Sequence, residues 1–130
     1  MITDTHTHLY SEQFDEDRGP MIQRAKDVGV RRFFIPAIDS SYTERMFSLE
    51  KNYPNDVFLM MGLHPTSVKE NVKSELQHVK DWIDKKSFVA IGEIGIDLYW
   101  DKTYLKEQQE AFQTQIIWAK EKKLPIVIHC

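Results

Sequence analysis

The sequence predicts an α/β fold with a parallel sheet, built from about five strands and four helices. Apolar, strand-like segments alternate with helical patterns, and their ends recur at intervals of about thirty residues, the size of one strand-helix unit. Histidines and an acidic residue follow nearly every predicted strand, as catalytic residues do at the C-terminal face of a (β/α)8 barrel and at the crevice of an open α/β sheet. We therefore expect these residues to share one site, and no domain boundary is predicted within the chain.

The first unit is marked by a short strand and a bounded helix. Ile2–Thr5 predicts the strand, and a loop follows His8. A helix is expected over Met21–Val28, because Pro20 suits a first turn and Gly29 suits a C-terminal cap.

The second unit pairs the apolar segment Arg32–Ile35 with a helix from Ser41 to about Asn52. Ser41 and Glu44 have the spacing of a capping box, in which a serine and a glutamate three residues later satisfy the first N–H groups of a helix. Pro54 ends the pattern.

The third unit contains the continuous apolar run Val57–Met61, which is typical of a strand covered on both faces. A helix is predicted over Val72–Asp84, with His78 outside its apolar positions and expected to be a solvated surface residue. The buried stripe of this helix should consist of Leu76, Val79, Trp82 and Ile83.

The last predicted elements complete the alternation. Phe88–Ile91 is expected to form the fourth strand and to end at Gly92. A long amphipathic helix is predicted over Leu105–Lys122, and Pro125–Ile128 is expected to form the fifth strand.

Composition places limits on the class of protein. A hydrophobic content of 42% can furnish a core, and 17 basic against 20 acidic residues argue against a broad basic surface for duplex DNA or anionic lipid. An enzyme that grips few phosphates remains compatible, because bound metal ions can supply positive charge. The single cysteine, Cys130, and the lack of a leader or membrane-spanning run predict a cytoplasmic protein without membrane contact.

Four residues at predicted strand ends have metal-binding chemistry. His6 and His8 are two residues apart, so an extended backbone would direct both imidazoles to one side, and neutral imidazole binds zinc, manganese or iron. Glu93 follows the fourth strand between two glycines, where a carboxylate can bridge two divalent ions about 3.5 to 4 Å apart. His129 ends the fifth strand at the matching position, which favours a ligand over a buried structural histidine.

Four further residues have open roles. His64 follows the third strand and offers an imidazole as a proton donor or as a cation for a phosphate oxygen. Asp97 could hold a water, orient a ligand histidine or cap the next helix. Tyr99 and Trp100 either cover the core or stack on a nucleobase of a single strand.

The motifs resemble those of the TatD family of metal-dependent deoxyribonucleases, within the amidohydrolase-type barrels, in order and spacing over the whole chain. The matching segments are Asp4-Thr5-His6-Thr7-His8, Gly62-Leu63-His64-Pro65, Gly92-Glu93-Ile94-Gly95-Ile96-Asp97 and Ile128-His129-Cys130.

This resemblance implies a parallel (β/α)8 TIM-type barrel, of which the chain would hold about the first five strands and four helices. Residues 1–130 would thus form the N-terminal portion of a single barrel domain. The resemblance also implies a role for each matching residue. His6 and His8 would bind a first divalent ion, Glu93 would bridge both ions, and His129 would bind the second. His64 would contact the substrate phosphate or transfer a proton. The implied activity is hydrolysis of phosphodiester bonds in DNA, in single strands or at ends, with magnesium, manganese or zinc as the cofactor.

Departures from the family pattern affect substrate preference and completeness. Thr66-Ser67 replaces a histidine and an acidic residue found in many members, and Leu98 replaces a common aromatic residue. The family also uses a histidine and an aspartate from later strands and an arginine just beyond the fifth-strand histidine, so we expect residues 1–130 alone to be incomplete as an enzyme.

Two alternatives remain open. The same barrel serves amidohydrolases that act on amides or esters, although many of these bridge their metals with a modified lysine where this chain has Glu93. The other alternative is a non-catalytic metal-binding fragment that keeps His6 and His8 without full ligation.

Overall fold

A computed structural model describes all 130 residues and confirms five parallel strands alternating with four helices. The strands are β1 Ile2–Asp4, β2 Val30–Ile35, β3 Val57–Met61, β4 Ala90–Gly95 and β5 Ile126–His129. The helices are α1 Arg18–Asp27, α2 Thr43–Asn52, α3 Val72–Lys85 and α4 Leu105–Lys122. The strands form one sheet in the order β1-β2-β3-β4-β5, and every neighbouring pair is parallel. This order matches a segment of a barrel, in which each strand pairs with the next along the chain.

Helix boundaries follow the predicted signals in part. The bounds of α4 agree with the prediction, and Gly29 follows α1 with a φ of +104°, the left-handed conformation of a helix cap. However, α1 begins at Arg18, so Pro20 is its third residue. That position is also tolerated, because the first N–H groups of a helix have no helical acceptor.

The predicted capping box is wrong. Asp39 accepts a hydrogen bond from the backbone N–H of Ser41 at 2.9 Å and caps a short 3-10 helix, Ser40–Tyr42, which precedes α2. The Ser41 hydroxyl donates to the same carboxylate. The N-cap residue of α2 is Tyr42, and no side chain there accepts an N–H of the first turn. The aspartate therefore caps the 3-10 helix, and α2 continues from it without a side-chain cap of its own.

The fourth strand differs most from its prediction. It runs from Ala90 to Gly95, all six residues are buried, and the pairing with β5 shifts register between Gly92 and Ile94. The apolar pattern of the sequence stops at Gly92, but the strand pairing continues, because the pairs Ile94–Ile128 and Gly95–His129 follow the irregularity. Glu93 consequently lies inside β4, at the point where the register shifts.

The core forms between the sheet and the helices. It comprises 20 buried residues, including Ile35, Leu59, Ile91 and Val79. The expected burial of β3 is confirmed, since four of its five residues are buried. None of the helices combines the length and apolar composition needed to cross a bilayer.

His78 is half-buried, so the expectation of a solvated residue is wrong. Its Nε2 lies 2.8 Å from the hydroxyl of Thr43, which is buried at the start of α2. The contact joins α3 to α2, and His78 belongs to neither of the groups of potential metal ligands.

Replacing Gly92 with alanine is expected to destabilise the fold. A Cβ at this position would lie 2.8 Å from the Cβ of Val127 and 3.2 Å from the sulfur of Met60, so β4 and β5 would have to separate. Overpacking of this kind costs about 1 to 3 kcal/mol. Urea denaturation measures the loss as a lower free energy of unfolding.

Gly19→Ala is the matched control. Its Cβ would have its nearest neighbour at 3.7 Å and the residue lies in α1, so the alanine should raise stability by roughly 0.5 to 1 kcal/mol. Equal denaturation midpoints for the two variants would contradict the close packing at Gly92.

Candidate metal centre

Four predicted site residues, all histidines, meet around a fifth, Glu93, at the carboxyl edge of the sheet. His6 and His8 lie just beyond β1, and His64 lies between β3 and a 3-10 helix, Pro65–Ser67. Glu93 is in β4, and His129 is the last residue of β5. Parallel strands bring these distant parts of the sequence to one edge.

Each carboxylate oxygen of Glu93 faces two imidazoles. Oε1 lies 3.0 Å from Nε2 of His6 and 3.3 Å from Nε2 of His8. Oε2 lies 2.7 Å from Nδ1 of His129 and 3.4 Å from Nε2 of His64. Glu93 is only 4% exposed, so this carboxylate lies inside the protein with imidazoles as its polar surroundings.

The histidines keep this buried carboxylate ionised. Burial acts to raise the pKa of Glu93, but the nearby imidazoles of His64, His8 and His129 outweigh burial and hold the pKa well below its usual range. Glu93 is therefore an anion at neutral pH.

The chain bends between the two N-terminal histidines, contrary to the expectation of an extended backbone. The pairing of β1 ends at Asp4, and His6 lies in a bend. The backbone N–H of His6 donates to the Asp4 carboxylate at 3.2 Å. The two rings are nearly perpendicular, with centroids 5.3 Å apart. Their Nε2 atoms nevertheless converge on the same oxygen of Glu93, a residue of β4.

Asp97 holds the far side of His129. One Asp97 oxygen lies 2.8 Å from His129 Nε2, and the other accepts the N–H of Tyr99 at 2.9 Å. Burial acts to lower the pKa of His129, but its hydrogen bonds to Glu93 and Asp97 outweigh burial and raise the pKa. Asp97 does not cap α4, which begins at Leu105 after Tyr104.

Two buried glutamines of α4, Gln108 and Gln115, fix the loops that carry Asp97 and His64. The Gln108 amide accepts the N–H of Asp97 at 2.8 Å and donates to the Asp97 carbonyl at 3.0 Å. The Gln115 amide accepts the N–H of Leu63, next to His64, at 2.7 Å. The sequence analysis did not identify either residue, although two glutamines seven positions apart in one helix share a face.

Tyr99 and Trp100 do not cover the core. They are 83% and 78% exposed, and their rings pack edge to face with centroids 4.7 Å apart. They follow Asp97 after one residue, Leu98, and thus present two aromatic surfaces beside the cluster.

The donor set fits a divalent cation. Glu93 Oε1 is a buried atom without a hydrogen-bond partner, although two imidazole nitrogens lie 3.0 and 3.3 Å away. These contacts fail the angular requirements of hydrogen bonds, but the spacing is close to the edge of about 3.3 Å of a tetrahedron of ligands bound at about 2.0 Å. Two groups of residues can supply such ligands, His6 with His8 and Glu93, and His64 with Glu93 and His129.

The TatD nucleases and their relatives are the proteins that this chain resembles. Residues 3–130 match the family described as TatD related DNase. The chain is 36% identical over 129 residues to the uncharacterized metal-dependent hydrolase YabD of Bacillus subtilis (strain 168), covering 99% of this chain and 50% of YabD. It is 28% identical over 127 residues to the 3'-5' ssDNA/RNA exonuclease TatD of Pectobacterium carotovorum, covering 98% of this chain and 49% of that protein.

A solved structure agrees with these sequence similarities. The crystal structure of YjjV, a TatD homologue from Escherichia coli K12, superposes with a TM-score of 0.88 at 30% identity, over 98% of this chain and 50% of YjjV. The chain thus spans about half the length of the relatives it matches. With its family match extending from residue 3 to residue 130, the chain belongs to the TatD related DNase family.

Proposed function

We propose that the protein containing this chain is a metal-dependent hydrolase that cleaves phosphodiester bonds in DNA with water activated between two divalent ions. The observation that carries this proposal is the buried Glu93 carboxylate, each oxygen of which faces its own pair of imidazoles. The names of the relatives, a metal-dependent hydrolase and an ssDNA/RNA exonuclease, agree with this reaction class.

We assign the ligands by the oxygen they face. His6 and His8 would hold one ion with Oε1 of Glu93, and His129 would hold the other with Oε2. When bound, magnesium, manganese or zinc ions would lower the pKa of water toward neutrality and offset the charge of the phosphorane. Asp97 would keep the His129 ring in place through the contact at Nε2.

His64 is assigned to the substrate. Its side chain is partly exposed at the edge of the cluster, and its Nε2 lies 3.4 Å from Glu93, the longest of the four imidazole contacts. The ring can therefore donate a hydrogen bond to a phosphate oxygen or a proton to the leaving oxygen.

We also propose that residues 1–130 form the N-terminal portion of one barrel domain. In this sheet β1 and β5 each pair on one side only, and Ile2 and Ile128 are half exposed along these edges. Further strands would pair with the edges and cover both side chains. The free Cys130 is consistent with a reducing compartment, and we assign the protein to the cytoplasm.

One experiment separates this function from its rivals. The intact protein is incubated with an end-labelled single-stranded oligonucleotide after EDTA treatment, with and without added magnesium, manganese or zinc. We expect cleavage only after metal is restored. Hydrolysis of 4-nitrophenyl acetate without DNA cleavage would instead support an amidohydrolase, and metal binding without either activity would support a non-catalytic module.

Tyr99 and Trp100 should contribute to binding of single-stranded substrate. Stacking of a base on an aromatic side chain is worth about 1 to 3 kcal/mol. Replacing both residues with alanine is therefore expected to weaken binding of a single-stranded oligonucleotide about tenfold or more in fluorescence anisotropy, at fixed salt with EDTA present.

The replacement Trp118→Ala is not a suitable control, because that ring packs against the core. Replacing Tyr53, an aromatic residue remote from this edge, with phenylalanine should leave the affinity unchanged, and equal affinities for all three proteins would exclude the stacking role.

A further inference from the structure

Tyr10 is held rigidly beneath the candidate metal centre. The residue is 1% exposed, and its backbone carbonyl accepts hydrogen bonds from Arg45 at 3.1 Å and from Arg18 at 3.3 Å. Its hydroxyl lies 2.7 Å from the carbonyl oxygen of Pro36 and 2.9 Å from Nδ1 of His8.

These two contacts determine which nitrogen of His8 carries a proton. A carbonyl oxygen only accepts, so the single hydroxyl hydrogen of Tyr10 points to Pro36. The hydroxyl oxygen then accepts from His8, and Nδ1 must carry a hydrogen. In a neutral ring the lone pair consequently lies on Nε2, the atom 3.3 Å from Glu93.

His64 has the opposite arrangement. The backbone N–H of Thr66 donates to Nδ1 of His64 at 3.2 Å, and a backbone N–H can only donate. Nδ1 therefore bears the lone pair and Nε2 bears the hydrogen, so in this tautomer the atom of His64 that faces Glu93 is a hydrogen donor and offers no lone pair to a metal ion.

We propose that Tyr10 is a positioning residue that makes His8 a metal ligand, while the Thr66 backbone keeps His64 a hydrogen donor at the same centre. The inference rests on the proposed function, in which His8 binds a metal ion and His64 contacts the substrate. It adds the physical cause of this difference between the two histidines, which is the group hydrogen-bonded to Nδ1 of each ring.

Two-bond 15N–1H NMR spectra of the metal-free intact protein at about pH 8.5 test the proton positions directly. We expect the Nδ1–H form for His8 and the Nε2–H form for His64. An Nε2–H form of His8 would overturn the proposal without any substitution.

Tyr10→Phe then tests control by the hydroxyl. We expect His8 to lose the Nδ1–H signature and zinc affinity, measured by calorimetry, to fall about 10- to 100-fold, the usual cost of losing a partner that orients a ligand. Tyr42→Phe is the matched control, because its ring packs against Tyr10 while its hydroxyl contacts only Glu12, at 3.5 Å. It should keep both the signature and the affinity.

Each outcome decides a separate part of the inference. A Tyr10→Phe protein with wild-type zinc affinity and an unchanged His8 signature would overturn the role of Tyr10. Failure of the unsubstituted protein to bind zinc would overturn the proposed function, and with it the ligand role of His8, even if the NMR signatures agree. If Tyr10→Phe unfolds, the spectra of the unsubstituted protein still decide the proton positions.

Discussion

Replacing Glu93 with glutamine in the intact protein is expected to lower DNA hydrolysis by at least about 10²- to 10³-fold, the effect of losing one preorganised electrostatic contact to the reacting centre. Glutamine has the same shape but carries no charge and presents only one oxygen. Both oxygens of Glu93 face imidazoles, so no single amide orientation restores the present set of contacts. We therefore expect both metal content and initial rate to fall, as measured by elemental analysis and oligonucleotide cleavage.

Two further variants make this result specific. Asp84→Asn removes a half-exposed carboxylate paired with Lys80 and Lys122, and it should leave the rate unchanged, because surface ion pairs contribute little. His64→Asn should lower the rate while leaving the metal content intact. A Glu93→Gln protein with normal metal content and rate would refute the bridging role, and loss of metal from His64→Asn would refute the assignment of His64 to the substrate.

The sequence predicted the location of the cluster because parallel strands impose a simple rule. When polar residues stand at the carboxyl ends of successive strands, they meet at one edge. This rule does not depend on exact strand boundaries. The predicted location of the cluster was therefore correct even though the predicted ends of β1 and β4 were not. His6 and Glu93 converge even though one lies in an unpredicted bend and the other lies inside its strand.

The contacts that orient the cluster could not be predicted in the same way. Tyr10 reaches Pro36 across 26 positions, and Gln115 reaches Leu63 across 52. Such pairs depend on side-chain direction and on the depth at which a helix packs, which residue spacing does not encode. The cis peptide bond between Gly92 and Glu93 likewise has no marker in the sequence, because cis bonds are otherwise almost confined to proline.

His129 provides the basis for a pH-dependent effect. Both of its ring nitrogens face carboxylates, at 2.7 Å to Glu93 and 2.8 Å to Asp97, and both can carry hydrogens when no metal is bound. Hydrogen bonding to these carboxylates raises the pKa of His129 above its usual value despite burial. The pKa of Glu93 is lowered, so that carboxylate remains ionised and does not titrate in the same range.

Metal affinity is therefore expected to rise with pH through the range above about 6.5 and to fall at lower pH. A metal ion binds only a deprotonated nitrogen, so a raised pKa means that binding at neutral pH must displace a proton from His129. Below that pKa the affinity should drop tenfold per pH unit for each displaced proton, and above it the affinity should level off.

Calorimetric titrations with zinc in two buffers of different ionisation enthalpy measure both the affinity and the number of protons released. Asp97→Asn removes one of the two carboxylates that raise the pKa, so the midpoint of this dependence should move to lower pH. An affinity that does not change between about pH 6 and 8, or a midpoint that moves upward in Asp97→Asn, would show that His129 does not lose a proton to the metal.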